Sequence, residues 1–106
     1  MMLQTLAKRS ATRYGHMMIR SWKTKAAKEV FEGKSPKGFP ADLLKTARRR
    51  LAQLDAAVSV EDMRLPPSNR LHLVDGRWSI SVNMQFRITF LWGDNGPEDV
   101  WFGDYH

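Results

Sequence analysis

The sequence contains no cysteine among its 106 residues. This absence excludes disulfide bonds, thiolate nucleophiles and cysteine-based zinc sites, and it is compatible with a reducing cytoplasm. No apolar run approaches the roughly 18 residues that a membrane-spanning helix needs, so we expect no membrane association. Internal repeats are also missing from the sequence, and its length allows one domain at most.

Acidic residues are missing from residues 1–17, which hold three basic residues and so contribute +3 to the net charge of +6. We interpret this stretch as an N-terminal extension: a disordered basic arm, a targeting peptide, or sequence upstream of a true start at Met17 or Met18. Residues 18–106 then form the domain, with 14 basic and 11 acidic residues. A basic small domain favours polyanionic partners, most often nucleic acid.

The first half of the domain predicts a short strand followed by two helices. Residues 18–22 are typical of a strand, and residues 24–33 predict a short helix that Thr24 caps and Gly33 ends. Residues 40–57 predict a longer helix. Its apolar face carries Leu43, Ala47, Leu51 and Leu54 at helical spacing.

From residue 70 onward the hydrophobic period changes from that of a helix to that of a strand. Residues 77–83 and 85–92 alternate between apolar and polar side chains, and Asn83 marks the turn between them. Residues 70–74 and 98–106 predict two further strands. The chain is therefore predicted to be α+β, with a short N-terminal strand and two helices packed on an antiparallel sheet, and with Arg87 on the uncovered face. The residues interpreted as core on this scheme include Met63, Met84, Trp78, Trp92 and Trp101.

Two histidines and an arginine in the sheet region suggest a reaction. RNA cleavage by attack of the 2′-hydroxyl requires a base, an acid and a cation for the charge on the phosphate. His72 and His106 suit the proton transfers, and Arg87 suits the phosphate. The spacing alone leaves other interpretations open: His72 as an ordinary strand histidine, and Arg87 as a solvated cross-strand partner.

A dense run of basic residues lies on the longer predicted helix. It is either a solvated helix face or a stripe that follows RNA phosphates. The histidines and acids have no metal-ligand spacing, so we expect no metal and no cofactor. The four residues of the run are Lys45, Arg48, Arg49 and Arg50.

Several segments together resemble the HigB-like toxins, a branch of the RelE superfamily. They are "MIRSWKTKAAKEVFEG", "RRRLAQLDAAVSVEDMRLPPSNRLH", "GRWSISVNMQFRITFLW" and the terminal "DYH". The resemblance covers residues 18–106. It implies a RelE-like fold with a curved antiparallel sheet, and a type II toxin that enters the ribosomal A site and cuts mRNA there. It also implies a HigA-like helix-turn-helix antitoxin, through which alone the toxin would reach operator DNA.

The resemblance assigns roles to five residues. Arg87 matches the strand arginine that holds the scissile phosphate. Tyr105 and His106 match the terminal pair of the family's active site, with the tyrosine against the substrate base and the histidine as a proton carrier. Asp104 would position these groups. His72 matches a histidine that many members carry but some replace, so the resemblance assigns it a catalytic role less strongly than it does Arg87 and His106.

One stretch departs from the family pattern. Many members read "LHPLKGD" and a few more residues before "WSI", whereas this chain reads "LHLVDGRWSI", without the proline and without the active-site lysine. Arg70 or Arg77 is a candidate to replace that charge. The departure supports one alternative, a module of the same fold that binds RNA or the ribosome without cutting. A third alternative is a structural or regulatory protein that acts only within an antitoxin complex.

Overall fold

A computed structural model of the protein describes residues 18–104. The N-terminal extension proposed for residues 1–17, and the predicted site residues Tyr105 and His106, lie outside this range. Two α-helices come first, and two short 3₁₀ segments lead into an antiparallel sheet of four strands in the order β1-β2-β3-β4. The helices are α1 (Lys25–Phe31) and α2 (Ala41–Ala56), the 3₁₀ segments are Val60–Arg64 and Pro67–Asn69, and the strands are β1 (His72–Val74), β2 (Arg77–Ser81), β3 (Phe86–Gly93) and β4 (Gly96–Asp104). The α+β prediction is confirmed.

Local chemistry favours both ends of α1 and the start of α2. The Thr24 Oγ1 accepts a hydrogen bond from the Ala27 amide at 3.3 Å, as expected of an N-cap. Gly33 follows α1 with φ 91°, a conformation that a residue with a Cβ rarely adopts. Pro40 is the N-cap residue of α2 and so precedes its first turn. No helix between Met18 and Asp104 is long enough and apolar enough to cross a bilayer.

The core lies between the helices and one face of the sheet. The predicted face of α2 is buried, together with Ala27 and Val30 of α1. Apolar residues of β2, β3 and β4 meet them from the sheet, and Phe39 closes one end against Phe86 and Phe102. The fully or almost fully buried core residues of the strands are Ile80, Ile88, Phe90, Val100 and Phe102.

Tight turns join the strands. Asp75 and Gly76 connect β1 to β2 with φ values of 51° and 82°, the left-handed pair that a two-residue type I′ hairpin requires. Between β2 and β3, the Asn83 Oδ1 accepts hydrogen bonds from the amides of Gln85 and Phe86, at 2.8 and 2.7 Å. The turn predicted at Asn83 is therefore confirmed.

The predicted strand at residues 18–22 is wrong as a strand. The segment runs beside β4, but it forms only an isolated parallel bridge, Trp22 to Val100. Its start is held elsewhere, because Asp55 at the end of α2 accepts hydrogen bonds from the Met18 and Ile19 amides. The ladder of β4 is also interrupted by a bulge at Asp99, which has φ 53°.

Two of the predicted core residues, Met84 and Trp101, lie outside the core. Met63 is fully buried, and Trp78 and Trp92 pack against the core as predicted. Met84 is 96% exposed because it lies at the tip of the β2–β3 turn, where no element covers it. Trp101 lies on the sheet face opposite the core, because the bulge in β4 shifts the alternation of its side chains.

The core predicts a large difference between two leucines. Replacing the fully buried Leu51 with alanine should lower the free energy of unfolding by about 2–5 kcal/mol, because a cavity replaces its contacts. Leu65 is 67% exposed, and its replacement with alanine should change stability by less than about 0.5 kcal/mol. Urea denaturation of both variants measures the difference, and equal losses would contradict this description of the core.

Candidate active site

The sheet face opposite the helices is polar. Strand register places His72, Ser79, Thr89 and Trp101 in one row across the four strands. The next row holds Ser81, Arg87 and Gly103. Ser79 is only 1% exposed, so this face is a lined recess and not a solvated surface.

Arg87 is anchored within this recess. It is half-buried on β3, and its Nε donates a hydrogen bond to the Ser79 Oγ at 2.5 Å. Its Nη2 lies 3.4 Å from the His72 Nδ1. The guanidinium therefore has a fixed direction and lies beside an imidazole. This position suits a group that binds a phosphate better than it suits a freely solvated cross-strand partner.

The surroundings of His72 determine which ring nitrogen carries the proton. Its Nδ1 lies 2.7 Å from the Arg70 carbonyl oxygen, which can only accept. The Nδ1 must therefore be protonated, and the longer contact from Arg87, also a donor, is not a hydrogen bond. In the neutral ring the lone pair then lies on Nε2. The imidazole is exposed and oriented, as a proton carrier requires.

A network on α2 places the segment that carries His72. The Asn69 side chain is fully buried, and its Nδ2 donates to Gln53 Oε1 and to the carbonyls of Met63 and Leu65, at 3.0–3.2 Å. Gln53 in turn donates to the Leu65 carbonyl at 2.5 Å. The chain leaves this anchor at Arg70, which has φ 51°, and enters β1 at His72. Sequence reasoning missed Asn69 and Gln53 as supports of the site.

Arg77 is already paired. Its Nη1 and Nη2 donate to the carboxylate and the carbonyl of Asp99, at 2.8 and 2.6 Å. Its Nε donates to the Thr89 Oγ1 at 3.1 Å. These contacts use all three guanidinium nitrogens and balance the positive charge. Arg77 thus forms part of the wall of the recess, and Arg70 is the exposed arginine of the two candidates.

A pocket of about 320 Å³ opens in this polar face. Arg77, Ser79 and Thr89 line it from the sheet, and Asp104 lines it from the end of β4. Lys23 and Trp101 also line it, and sequence reasoning missed both: it gave Lys23 no role and interpreted Trp101 as core. The register of β4 across its bulge decides the face on which Trp101 lies, and the sequence alone does not show this register.

The predicted basic stripe on α2 is divided. Arg48 donates to the carbonyls of Val30 and Lys34 at the end of α1, and Arg50 donates to the Ser81 carbonyl and the Ser68 Oγ. Burial, with Arg49 close by, lowers the pKa of Arg50. These two arginines join elements of the fold. The exposed members of the set are Lys45 and Arg49, which are one helical turn apart.

The last predicted site residue within the described range is Asp104. Its Oδ2 accepts a hydrogen bond from the Gln85 Nε2 at 2.7 Å, and the residue ends β4 directly before Tyr105 and His106. It can therefore connect the tip of the β2–β3 hairpin to the end of the chain. Within residues 18–104, no three histidine, aspartate or glutamate side chains come together as a metal site would require.

Comparisons with known proteins agree on one family. Residues 20–106 match the family described as "RelE-like toxin of type II toxin-antitoxin system HigB". The chain is 35% identical to Toxin HigB-1 of Vibrio cholerae over 82 residues, which cover 73% of this chain and 86% of the relative. It is 31% identical to Endoribonuclease HigB of Proteus vulgaris over 93 residues, which cover 84% of this chain and all of the relative.

The contact between Arg77 and Asp99 predicts a stability effect. Replacing Asp99 with asparagine keeps the shape of the side chain and its tolerance of a positive φ, but it removes the charge that faces Arg77. The free energy of unfolding should fall by about 1–2 kcal/mol, since the pair is only partly buried. The control is Glu61→Gln in the exposed Glu61–Arg64 pair, where no measurable change is expected. Equal stability of the two variants in urea would show that the Arg77 contact contributes nothing.

Proposed function

The chain belongs to the HigB-like family of RelE-like toxins of type II toxin–antitoxin systems, and we propose that it is an endoribonuclease that enters the ribosomal A site and cuts the mRNA there. The observation that carries the proposal is that the anchored guanidinium of Arg87 and the oriented imidazole of His72 lie side by side on an open polar face. The similarity to a protein named as an endoribonuclease supports RNA cleavage. The ribosomal A site follows from the family resemblance.

The proposed reaction is an internal transfer at the phosphate. The 2′-hydroxyl of one nucleotide loses its proton to a base and attacks the adjacent phosphorus. The bond to the 5′-oxygen of the next nucleotide breaks, and an acid gives that oxygen a proton. The products are a 2′,3′-cyclic phosphate and a free 5′-hydroxyl. No water or cofactor is consumed in this step.

Arg87 would hold the phosphate in this reaction. A guanidinium can donate to two non-bridging oxygens, and a position fixed by Ser79 costs little reorganisation when charge builds on them. His72 Nε2 would be one proton carrier, since its Nδ1 is already engaged. His106 would be the other carrier, with Tyr105 against the substrate base, as the family resemblance implies. Asp104 would hold the end of β4, where these two residues follow.

The proposed partners follow from the family and the charge. A type II toxin has an antitoxin partner. We propose that this partner is a HigA-like helix-turn-helix protein, and that only the antitoxin binds operator DNA. The ribosome and its mRNA are the proposed target, and the action is therefore cytoplasmic. Lys45 and Arg49, together with the exposed Arg70, would contact ribosomal RNA phosphates.

A second candidate function is a protein that binds the ribosome without cutting. One observation favours it: the charge of Arg77, near the position of the missing family lysine, is balanced by Asp99. The charge of Arg77 would then be less available to a phosphate in the recess. Such a protein would block translation but leave the mRNA intact.

Replacing Arg87 with alanine distinguishes the two functions. For the endoribonuclease, mRNA cleavage should fall by at least about a hundredfold, because the main cation for the transition state is lost, while ribosome binding changes little. Mapping of mRNA 5′ ends in a translating extract measures cleavage, and sedimentation with ribosomes measures binding. Arg64→Ala is the matched control, since it removes one exposed arginine away from the recess and should cut normally.

The outcomes separate clearly. New 5′ ends at A-site codons that disappear in Arg87→Ala and in His106→Ala would support the proposed activity. Stalled ribosomes without new ends in the wild-type protein would establish the binding function instead. Cleavage that persists in Arg87→Ala would contradict the role proposed for this residue.

The divided basic set on α2 yields a separate prediction. Lys45→Gln and Arg49→Gln should each weaken ribosome binding and lower the slope of log affinity against log salt by about one, without a change in Tm. Arg50→Gln should instead lower Tm, because its contacts with Ser81 and Ser68 are lost. Salt-independent ribosome binding by the wild-type protein would contradict a phosphate-binding role for this helix.

A further inference from the structure

We propose that the pocket between Lys23 and Trp101 binds the nucleotide adjacent to the scissile phosphate, with the base stacked on Trp101 and its phosphate beside Lys23. The inference rests on the proposed function, because it adds a subsite to the same polar face. Neither residue belongs to the set that the family resemblance assigns. The subsite would contribute to binding and to the choice of codon.

Trp101 differs in position from the two other tryptophans of the sheet. Trp78 and Trp92 pack against the core, but Trp101 lies half-buried on the polar face, in the same row as Ser79 and Thr89. The Trp101 ring lies beside the hydroxyl groups of Ser79 and Thr89 and does not contribute to the core. An aromatic face is, however, a surface on which any unstacked base can lie.

A glycine makes room for this ring. A Cβ at residue 103 would lie 2.6 Å from the Cζ2 of Trp101, closer than real contacts allow. The indole therefore extends along β4 over Gly103, and Gly103 is the cross-strand partner of Arg87. This arrangement brings the ring toward the anchored guanidinium, and it requires a residue without a side chain at position 103.

Lys23 supplies a cation to the same pocket. It is exposed, and none of the carboxylates in residues 18–104 lies within ion-pairing distance of its ammonium group. The other cation that lines the pocket, Arg77, is paired with Asp99. The backbone of Lys23 is held in place, because its amide donates to the Val100 carbonyl at 2.8 Å. Lys23 can therefore provide a charge in the recess for a chain that lacks the family's loop lysine.

The contents of the pocket favour one nucleotide over a bare phosphate. Its volume of about 320 Å³ is at the lower end of the range for small-molecule sites, which suits a single base with its sugar. Two carboxylates, of Asp75 and Asp104, also line it and would repel a second phosphate. Ser79 is shared with Arg87, so a base in this pocket lies next to the phosphate that Arg87 holds.

The test uses two pairs of variants in a translating extract. Trp101→Ala should raise KM for mRNA-programmed ribosomes about tenfold and flatten the preference among A-site codons, whereas Trp101→Phe, which keeps an aromatic ring, should retain most of the affinity. Lys23→Gln should lower the salt slope of binding by about one. Lys25→Gln is its control, because it removes the same charge from a side chain that is 86% exposed and paired with Glu29. Tm and antitoxin binding verify that each variant is folded.

Each outcome decides the inference. A folded Trp101→Ala variant with wild-type KM and codon preference would overturn it. A Trp101→Ala variant with lower kcat and Tm but unchanged KM would also overturn it. If the wild-type protein makes no new mRNA ends, the proposed function fails, and a titration with a 2′-O-methyl RNA hexanucleotide decides the pocket separately. Quenching of tryptophan fluorescence that disappears in Trp101→Phe would support the subsite, and no quenching of the wild-type protein at millimolar hexanucleotide would overturn it.

Discussion

The contact between Arg77 and Asp99 holds three strands in the register on which the polar face depends. The guanidinium starts on β2, donates to Thr89 on β3 and ends on the carboxylate and carbonyl of Asp99 on β4. Asp99 is the residue with φ 53° in the bulge of β4, and its amide also donates to the Ser21 Oγ. The contact therefore stabilises the bulge, the sheet and the approach of the N-terminal segment at one point.

The bulge matters because side chains alternate along a strand. One extra residue in β4 sets which residues face the helices and which face the recess, and a slip of one position would exchange them. In the observed register Val100 and Phe102 complete the core, while Trp101 and Gly103 face Arg87. The bulge thus sets which residues of β4 enter the core and which enter the site, and the Arg77–Asp99 contact stabilises it.

The rest of the site depends on a second anchor, at the other end of the sheet. Asn69 and Gln53 hold the 3₁₀ segments against α2, and the chain then turns at Arg70 and brings His72 beside Arg87. The two groups are 15 residues apart in the sequence. Two structural arginines of α2, Arg48 and Arg50, join this helix to α1 and to β2. Arg48, Arg50 and Arg77 therefore make contacts that join elements of the fold.

Local sequence determined the elements themselves. The apolar spacing of α2, the cap at Thr24, the alternation in β2 and β3 and the turn at Asn83 all follow from interactions within a few residues, and the structure has each of them. Arg87 and His72, which their residue types and then the family resemblance made candidate site residues, lie side by side in the fold. Only the tertiary structure decided that Arg77 is paired, that Arg48 and Arg50 are structural, and that Lys23 and Trp101 line the recess. The physical reason is that these roles depend on contacts between residues far apart in the sequence and on a bulge in β4. The bulge changes which of its side chains face the core, and neither feature leaves a periodic signal in the sequence.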